Sequence, residues 1–278
     1  MTSTPVTHLE TTANRPSPSP AVDADFERRF GGVRRLYGAP ALERFSAAHV
    51  CVVGIGGVGS WAAEALARSA VGRITLIDLD MVAESNVNRQ IHALGDEFGK
   101  AKTRAMAERI LAINPGCKVE EIEDFVAPEN MDRLLGRGFD FVIDAIDQVR
   151  TKAAMIAWCK RHGRPIVTAG GAGGQIDPTR IALADLAQTV QDPLLAKVRS
   201  ILRKEYPADG FPRDLKKKFG IPAVFSTEPL RYPESGAACD EPPTLAGLSC
   251  AGYGSSVCVT APFGLFAASV ALRHLAGG

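Results

Sequence analysis

The sequence predicts an α/β fold built on a doubly wound, mainly parallel sheet, with an appended C-terminal region. Three observations predict it. Short apolar runs alternate with helical stretches, the pattern of strands joined by helical crossovers. The first run, Val50-Cys-Val-Val, enters Gly54-Ile-Gly-Gly-Val-Gly59 and then a helical stretch, so Gly54, Gly56 and Gly59 hold the places of G-x-G-x-x-G. A second run, Arg73-Ile-Thr-Leu-Ile-Asp78, ends in a carboxylate about where the residue that holds a nucleotide ribose is expected.

The composition bounds the function. The 278 residues are 46% hydrophobic and 23% charged, which suits one large core or two modest ones. A net charge of +1 gives no global attraction to nucleic acid or membrane, so any such contact falls to a local patch. Six cysteines, at 51, 117, 159, 239, 250 and 258, form no C-x-x-C pair, which fits reduced cytoplasmic thiols better than a disulfide framework or a zinc ribbon. The first 22 residues are rich in Thr, Ser and Pro, lack the apolar core of a signal peptide, and read as a disordered tail. From 242 to 272 the chain carries no charge, but Gly, Ser, Thr and Pro interrupt it, so it reads as a buried terminal helix with no membrane span.

Taken in order, residues 23–49 show helical spacing in Phe26, Phe30, Leu36, Leu42 and Phe45, and breaks at Gly31-Gly32 and Gly38 predict short helices. Arg28, Arg29, Arg34 and Arg35 cluster there as a charged, solvated face. At the turn, glycine lets the backbone approach a phosphate, and the predicted helix over 60–70 offers unpaired N–H groups and a positive dipole end. Gly54, Gly56, Gly57 and Gly59 are therefore candidate nucleotide-binding positions. Beyond Asp78 a polar stretch carries Asp80, Asn86, Asn88, Arg89 and Gln90, and long polar loops at strand carboxyl ends are where open α/β sheets keep their chemistry.

An amphipathic helix then starts around Lys102, with Ala105, Met106, Ile110 and Ile113 on one face and a stop at Asn114-Pro115. Lys102 at a helix start gains nothing from the dipole, which points to an anionic partner. A third strand is predicted over 118–125 and a short helix over 128–135. Phe139-Asp-Phe-Val-Ile-Asp-Ala-Ile-Asp147 reads as a fourth, fully buried strand that brings Asp144 and Asp147 to the edge of the glycine turn. Asp147 suits either a cap for a helix over 151–162 or a metal ligand. A fifth strand, 165–169, runs into Gly170-Gly-Ala-Gly-Gly174 with its bare backbone N–H groups.

From Gln175 the pattern changes: a strand over 176–183, a helix over 185–205, and a long Pro-rich polar stretch over 206–236. Residues 197–218 hold eight bases, Lys197, Arg199, Arg203, Lys204, Arg213, Lys216, Lys217 and Lys218, against three acids. They suit a solvated face or a phosphate-backbone contact. Cys239 falls in a predicted exposed loop, and 251–276 returns to the core. The organisation expected is a tail (1–22), a nucleotide-binding region with its leading helices (23–174) and a substrate-facing region on the same sheet (175–278).

Five motifs in order, Gly54-Ile-Gly-Gly-Val-Gly59, Asp78-Leu-Asp80, Asn86-x-Asn88-Arg89-Gln90, Gly99-x-x-Lys102 and Asp144-Ala-Ile-Asp147, resemble the set shared by the ATP-dependent adenylating enzymes of the ThiF/MoeB/HesA group, relatives of the ubiquitin-activating enzymes with a Rossmann-like fold. Within it the chain is similar to the branch that dehydrates threonylcarbamoyladenosine in tRNA. The likeness runs through Arg29-Phe-Gly-Gly-x-x-Arg35-Leu-Tyr-Gly38, Ile91-His-Ala93, Thr168-x-Gly-Gly-Ala-Gly-Gly-Gln-Ile-Asp-Pro178, Gln191-Asp-Pro193, Val224-Phe-Ser-Thr-Glu228 and Cys250-Ala-Gly-Tyr-Gly254. The resemblance implies that ATP activates the threonine carboxylate of the modified adenosine beside the anticodon and that the adenylate is lost as the side chain cyclises.

It also implies roles. Arg89 and Lys102 grip phosphates, Asp147 holds Mg²⁺ and Asp78 holds the ribose, with Asp80 and Gln148 in the same nucleotide-binding set. Asn86 and Gln90 order the polar loop, and Arg35 reaches into the neighbouring subunit of a homodimer. Cations and a metal around a triphosphate supply most of the stabilisation that adenylation needs. Members serving ubiquitin-like carriers often hold zinc on two C-x-x-C pairs; here none exists, so no zinc is implied, and Mg²⁺ with a monovalent cation completes the expected ions. Cys239 stands where related enzymes can place a catalytic cysteine, yet Asp240 and Glu241 beside it disfavour the thiolate, which suits an auxiliary thiol. The expected partners are tRNA carrying threonylcarbamoyladenosine, a second copy, and a sulfur-transfer protein of the cysteine desulfurase system. Two other functions share some features: adenylation of a sulfur carrier's C-terminal glycine, and NAD-dependent oxidoreduction, which leaves Arg89, Lys102 and Asp147 without a task.

Overall fold

The computed structural model describes residues 20–232 and 253–278. β1 (His49–Val53), β2 (Arg73–Ile77), β3 (Lys118–Ile122), β4 (Phe141–Asp144) and β5 (Ile166–Ala169) are parallel. With β6 (Ile181–Asp185) and β7 (Pro222–Ser226) they make one seven-stranded sheet in the order β3-β2-β1-β4-β5-β7-β6. β7 lies parallel to β5, and β6 is an antiparallel edge. The expected doubly wound, mainly parallel sheet is therefore present.

The winding reverses beside β1, whose neighbours are β2 and β4, and such switch points open a crevice at the strands' carboxyl ends. Register fixes what faces it. Val53 pairs with Ile77 on one side and with Asp144 on the other, so Gly54, Asp78 and residues 145–147 leave the sheet at one level. Alternate β1 residues feed two cores: Val50 and Val52 pack with Leu66, Met106 and Phe263, while Cys51 and Val53 pack with Leu134, Met155 and Leu195.

The helices are α1 (Pro20–Tyr37), α2 (Ala39–Ala47), α3 (Gly59–Arg68), α4 (Lys102–Ile113), α5 (Met131–Leu135), α6 (Val149–Arg161), α7 (Pro193–Glu205) and α8 (Val257–Leu275). Among the described residues α8 alone is long and apolar enough to cross a bilayer. Here it is a core helix, burying Val259, Phe263, Ala267 and Ala271 against α3 and the sheet.

Several expectations need correction. α1 runs straight through Gly31-Gly32, and only Gly38, at φ +85°, interrupts the helices. A helical glycine costs about 1 kcal/mol, which the packing of Phe30 with Leu42 and Ala70 offsets. α1 also begins at Pro20, so residues 20–22 of the expected tail are helical, and 1–19 lie outside the described residues. Asp147 is not the N-cap of the following helix: α6 begins at Val149, and its N-cap is Gln148, whose side chain makes no cap hydrogen bond. The helix expected over 185–205 starts only at Pro193, capped by Asp192, whose Oδ1 accepts the Leu195 N–H at 2.9 Å. The stretch read as loop contains β7, and the strand expected over 176–183 is β6, shifted toward Asp185.

Candidate nucleotide-binding site

A cavity of about 540 Å³ opens at the switch point. The four glycines of its turn are needed for different reasons. Gly54 takes φ +86°, a conformation that other residues rarely adopt. A Cβ on Gly59 would stand 1.8 Å from the Gly54 carbonyl oxygen, and one on Gly57 would press the Arg89 stem at 3.0 Å. A Cβ on Gly56 would meet nothing within 4 Å. The protein itself does not require glycine there, so the space it leaves is space for a ligand. α3 comes next with no side-chain cap and no acid in its first turn; the N–H groups of Ser60 and Ala62 donate to the Gly56 and Val58 carbonyls, and the positive end of the helix dipole suits an external anion.

Asp78, just past β2, ties that strand to the turn: its carboxylate accepts the Ile55 N–H at 2.6 Å and the Asp80 N–H at 2.8 Å. Burial pushes the Asp78 carboxyl above its ordinary value, and the Lys102 charge and the two N–H donors pull it back.

Lys102 reaches the cavity through a short antiparallel bridge between Met81 and Ala101, in which Lys102 N–H donates to the Asp80 carbonyl at 3.0 Å. Its Nζ then lies 2.7 Å from Asp80 Oδ2, with the lysine side chain 8% exposed and the aspartate 57%. A nearly buried cation facing a half-exposed carboxylate can exchange that partner for a phosphate without moving far.

Asn86 organises the polar loop. Its Oδ1 accepts the Ala83 N–H at 3.1 Å, and its carbonyl accepts the N–H groups of Arg89 (3.0 Å) and Gln90 (2.9 Å). The Arg89 guanidinium is steadied by Ser85 O (2.7 Å) and Asn88 Oδ1 (2.9 Å), while Trp61 of α3 donates to the Arg89 carbonyl at 2.9 Å. Gln90 also lines the cavity, 5% exposed. Behind this loop His92 is 2% exposed, and burial, then the Lys102 and Arg109 charges, lower its pKa to about 4.

On the opposite wall Asp147 and Gln148 face the cavity, but Asp144 does not. Asp144 is wholly buried, 2.8 Å from the equally buried Lys152 Nζ, and accepts from Thr168 Oγ1 at 2.7 Å. Burial pushes its carboxyl up, against the pull of Lys152. Sequence reading missed Lys152, which was not singled out within the helix expected over 151–162; the signal was the buried strand carboxylate itself, which needs a cationic partner. It also missed Phe125, Ser255 and Thr260, which line the cavity from segments read as strand and core. Ser255 is joined to the polar loop by Asn88 Nδ2 at 3.0 Å.

The structure thus brings Gly54, Gly56, Gly57, Asp78, Asp80, Asn86, Arg89, Gln90, Lys102, Asp147 and Gln148 around one cavity, with Gly59 immediately behind. Arg35 is not among them. It stands exposed near the end of α1, whereas Arg34 is held by Glu27 at 3.0 Å. Of the basic island, Arg199 bonds Thr189 and Arg203 covers the Phe219 ring, while Lys197, Lys204, Arg213, Lys216, Lys217 and Lys218 are exposed. Cys239 lies outside the described residues. Of the described thiols, Cys51, Cys117 and Cys159 are buried, and burial raises Cys117 to about 11 and Cys159 to about 12.

Fold and cavity define a nucleotide-binding α/β protein, and residues 30–277 match the ThiF family, to which the chain belongs. More narrowly, it is 54% identical over 252 residues to the tRNA threonylcarbamoyladenosine dehydratase of Haemophilus influenzae, covering 90% of this chain and 94% of that one. The Escherichia coli protein of the same name is also 54% identical, over 255 residues and with the same coverage. A crystal structure of the Escherichia coli tRNA N6-threonylcarbamoyladenosine dehydratase in complex with ATP matches with a TM-score of 0.81 at 51% identity, covering 90% of this chain and 95% of that one. Its complex with AMP gives 0.81 at 50% identity, covering 94% and 98%.

Proposed function

We propose that this chain is an ATP-dependent tRNA threonylcarbamoyladenosine dehydratase. One observation carries the reading: a turn opened at Gly56 shares its cavity with Lys102, Arg89 and Asp147. Hydride transfer has no use for that set, whereas expulsion of pyrophosphate does. The near full-length identity to dehydratases, one of them solved with ATP and with AMP, selects this substrate within the family.

In the first half-reaction a threonine carboxylate oxygen attacks the α-phosphorus of ATP and pyrophosphate leaves. The ureido oxygen then attacks the acyl carbon, the ring closes with loss of the N–H proton, and AMP departs carrying the oxygen that is formally lost as water. Lys102 and Arg89 hold the phosphates as charge spreads over them, Asp78 holds the ribose, and α3 offers its open N-terminus.

Mg²⁺ fits the donor set, since it is usually held by one or two carboxylates together with substrate phosphates. Asp147 would hold it, and the ion supplies neutralisation of the triphosphate charge. A monovalent cation and an auxiliary role for Cys239, served by a sulfur-transfer protein, belong to the same reading. The family resemblance gives Arg35 a role in a neighbouring subunit of a homodimer, and its position outside its own chain's cavity and the exposed Leu36 beside it agree with that role. The six outward bases between Lys197 and Lys218 suit the tRNA backbone. A tRNA substrate suits a cytoplasmic enzyme.

The deciding experiment is mass spectrometry of nucleosides from tRNA carrying threonylcarbamoyladenosine after incubation with the protein, ATP and Mg²⁺. ATP-dependent loss of one water from that nucleoside is expected. An unchanged nucleoside with ATP-binding protein would turn attention to a carrier-protein substrate.

A further inference from the structure

A second, smaller cavity lies behind the glycine segment at the end of β5. Gly170 and Ala172 face the nucleotide cavity, Gly171 faces the small one, and Gly173 borders both. The small cavity's volume is about 40 Å³, room for roughly three water-sized spheres. Pro193, Leu194, Leu230 and Tyr253 give it apolar walls, and the buried Asp192 lines it beside Gly171. Gln175 lines it too, only 2% exposed, and its Oε1 is a buried acceptor with no hydrogen-bond donor among the described residues.

The surroundings hold Gln175 in place. Gly174 before it donates to the Gly254 carbonyl at 3.0 Å and accepts the Arg231 N–H at 2.8 Å. Ile176 and Asp177 after it donate to Glu228 Oε2 at 3.0 and 2.8 Å. Asp192 Oδ2 accepts the Gly171 N–H at 3.0 Å and fixes the turn itself. A rigid, buried acceptor without a donor costs about 1–3 kcal/mol unless something supplies one. With Gln175 and Asp192 on one side and Leu194, Leu230 and Tyr253 on the other, the cavity suits a small organic group that carries both a hydroxyl and a methyl.

Taking the dehydratase reading as given, we infer that this cavity is the subsite for the threonyl side chain of the substrate, the hydroxyl donating to Gln175 Oε1 and the methyl resting on Leu194, Leu230 and Tyr253. That side chain has three non-hydrogen atoms and one donor, matching the room and the acceptor. The carboxylate on the adjacent carbon then projects past Gly173 into the nucleotide cavity, toward the α-phosphate. Gln175 is a specificity-determining residue on this account: it selects the hydroxylated, branched amino acid and sets the carboxylate's approach.

The test compares tRNA carrying threonylcarbamoyladenosine with tRNA carrying the glycylcarbamoyl analogue, which lacks both methyl and hydroxyl, on wild-type, Gln175→Leu and Gly171→Ala proteins. ATP affinity and melting temperature are measured alongside. Wild type should favour the threonyl substrate by about a hundredfold or more in kcat/KM. Gln175→Leu should lose most of that preference by slowing the threonyl substrate, with the glycyl substrate and ATP affinity within about twofold. Gly171 has no positive φ and its Cβ would meet nothing within 4 Å, so Gly171→Ala should fold normally, fill the cavity and slow the threonyl substrate more than the glycyl one. Equal loss on both substrates, weakened ATP binding in Gln175→Leu, or a wild type that does not discriminate would overturn the subsite while leaving the dehydratase reading in place. Wild-type protein that binds ATP and dehydrates neither nucleoside would defeat both.

Discussion

Two glycine-rich turns leave the carboxyl ends of parallel strands in this protein, and they are alike only in composition. The turn after β1 leads into a helix whose N-terminus is uncapped, and its Gly56 faces open space. The turn after β5 leads into no α-helix. Its Gly170 would put a Cβ 1.8 Å from Asp192 Oδ2, and Gly174 sits at φ +71° bonded to Gly254 and Arg231. The first turn is shaped to receive an anion; the second is tied down by the protein's own groups and forms a wall between two cavities. Glycine content alone therefore predicts a close approach, and the element into which the turn leads decides whether the approaching atoms belong to a ligand or to the chain.

The Asp144–Lys152 pair stands under both turns, beside Ala145, whose carbonyl would meet a Cβ on Gly54 at 3.0 Å, and joined to Thr168, two residues before Gly170. Lys152→Met should strand a buried carboxylate and cost about 3–5 kcal/mol in urea unfolding; adding Asp144→Asn should recover much of it. If Lys152→Met unfolds as wild type does, the two turns share no support. Next, Arg89→Ala should slow pyrophosphate release about a hundred- to a thousandfold with an unchanged melting temperature, and a near-normal rate would remove Arg89 from the chemistry.

The turns themselves can be set against each other. Gly56→Ala should keep its melting temperature and weaken ATP binding about ten- to a hundredfold, the equivalent of losing one charge-assisted bond. Gly170→Ala should behave the opposite way, losing about 1–3 kcal/mol of stability to overpacking while a folded fraction binds ATP normally. The reverse result would exchange the roles assigned to them. The smallest effect is that of pH on the loop beside the first turn. His92 is about 4 in the folded chain against an ordinary 6.5, so between those values the unfolded chain binds the extra proton and stability falls as pH falls. Its share is about 1 kcal/mol between pH 6.5 and 5.5, and His92→Gln should flatten that part of an unfolding-versus-pH series.

The same division separates the parts of the molecule that were legible in the sequence from those that were not. The nucleotide side is written in local terms: buried runs for β1 and β4, a glycine turn, and a polar loop between two strong elements, so the residues expected there from Gly54 to Gln148 stand around the cavity or directly behind it, except Asp144, which is turned to Lys152. The rest depends on contacts between distant segments. Nothing near Pro222 shows that a Pro-started stretch becomes β7 beside β5, and nothing near Lys152 shows that its ammonium is buried on Asp144. Gly31-Gly32 looked like a break because the residues that hold the helix there, Leu42 and Ala70 packed on Phe30, lie beyond it. Arg35 lies outside the cavity of its own chain, and the role proposed for it depends on a second molecule, which one sequence does not display.

Gly264 of α8 gives the site a place in time as well as in space. A Cβ there would stand 2.3 Å from the Val58 carbonyl oxygen and 2.9 Å from the Ala62 nitrogen, so the last helix of the chain lies directly against the helix that extends from the phosphate turn. Val58 is translated some two hundred residues before that helix leaves the ribosome. A chain that stops short of α8 carries every glycine of the turn yet lacks its backing, so ATP binding at the turn is expected to wait for α8.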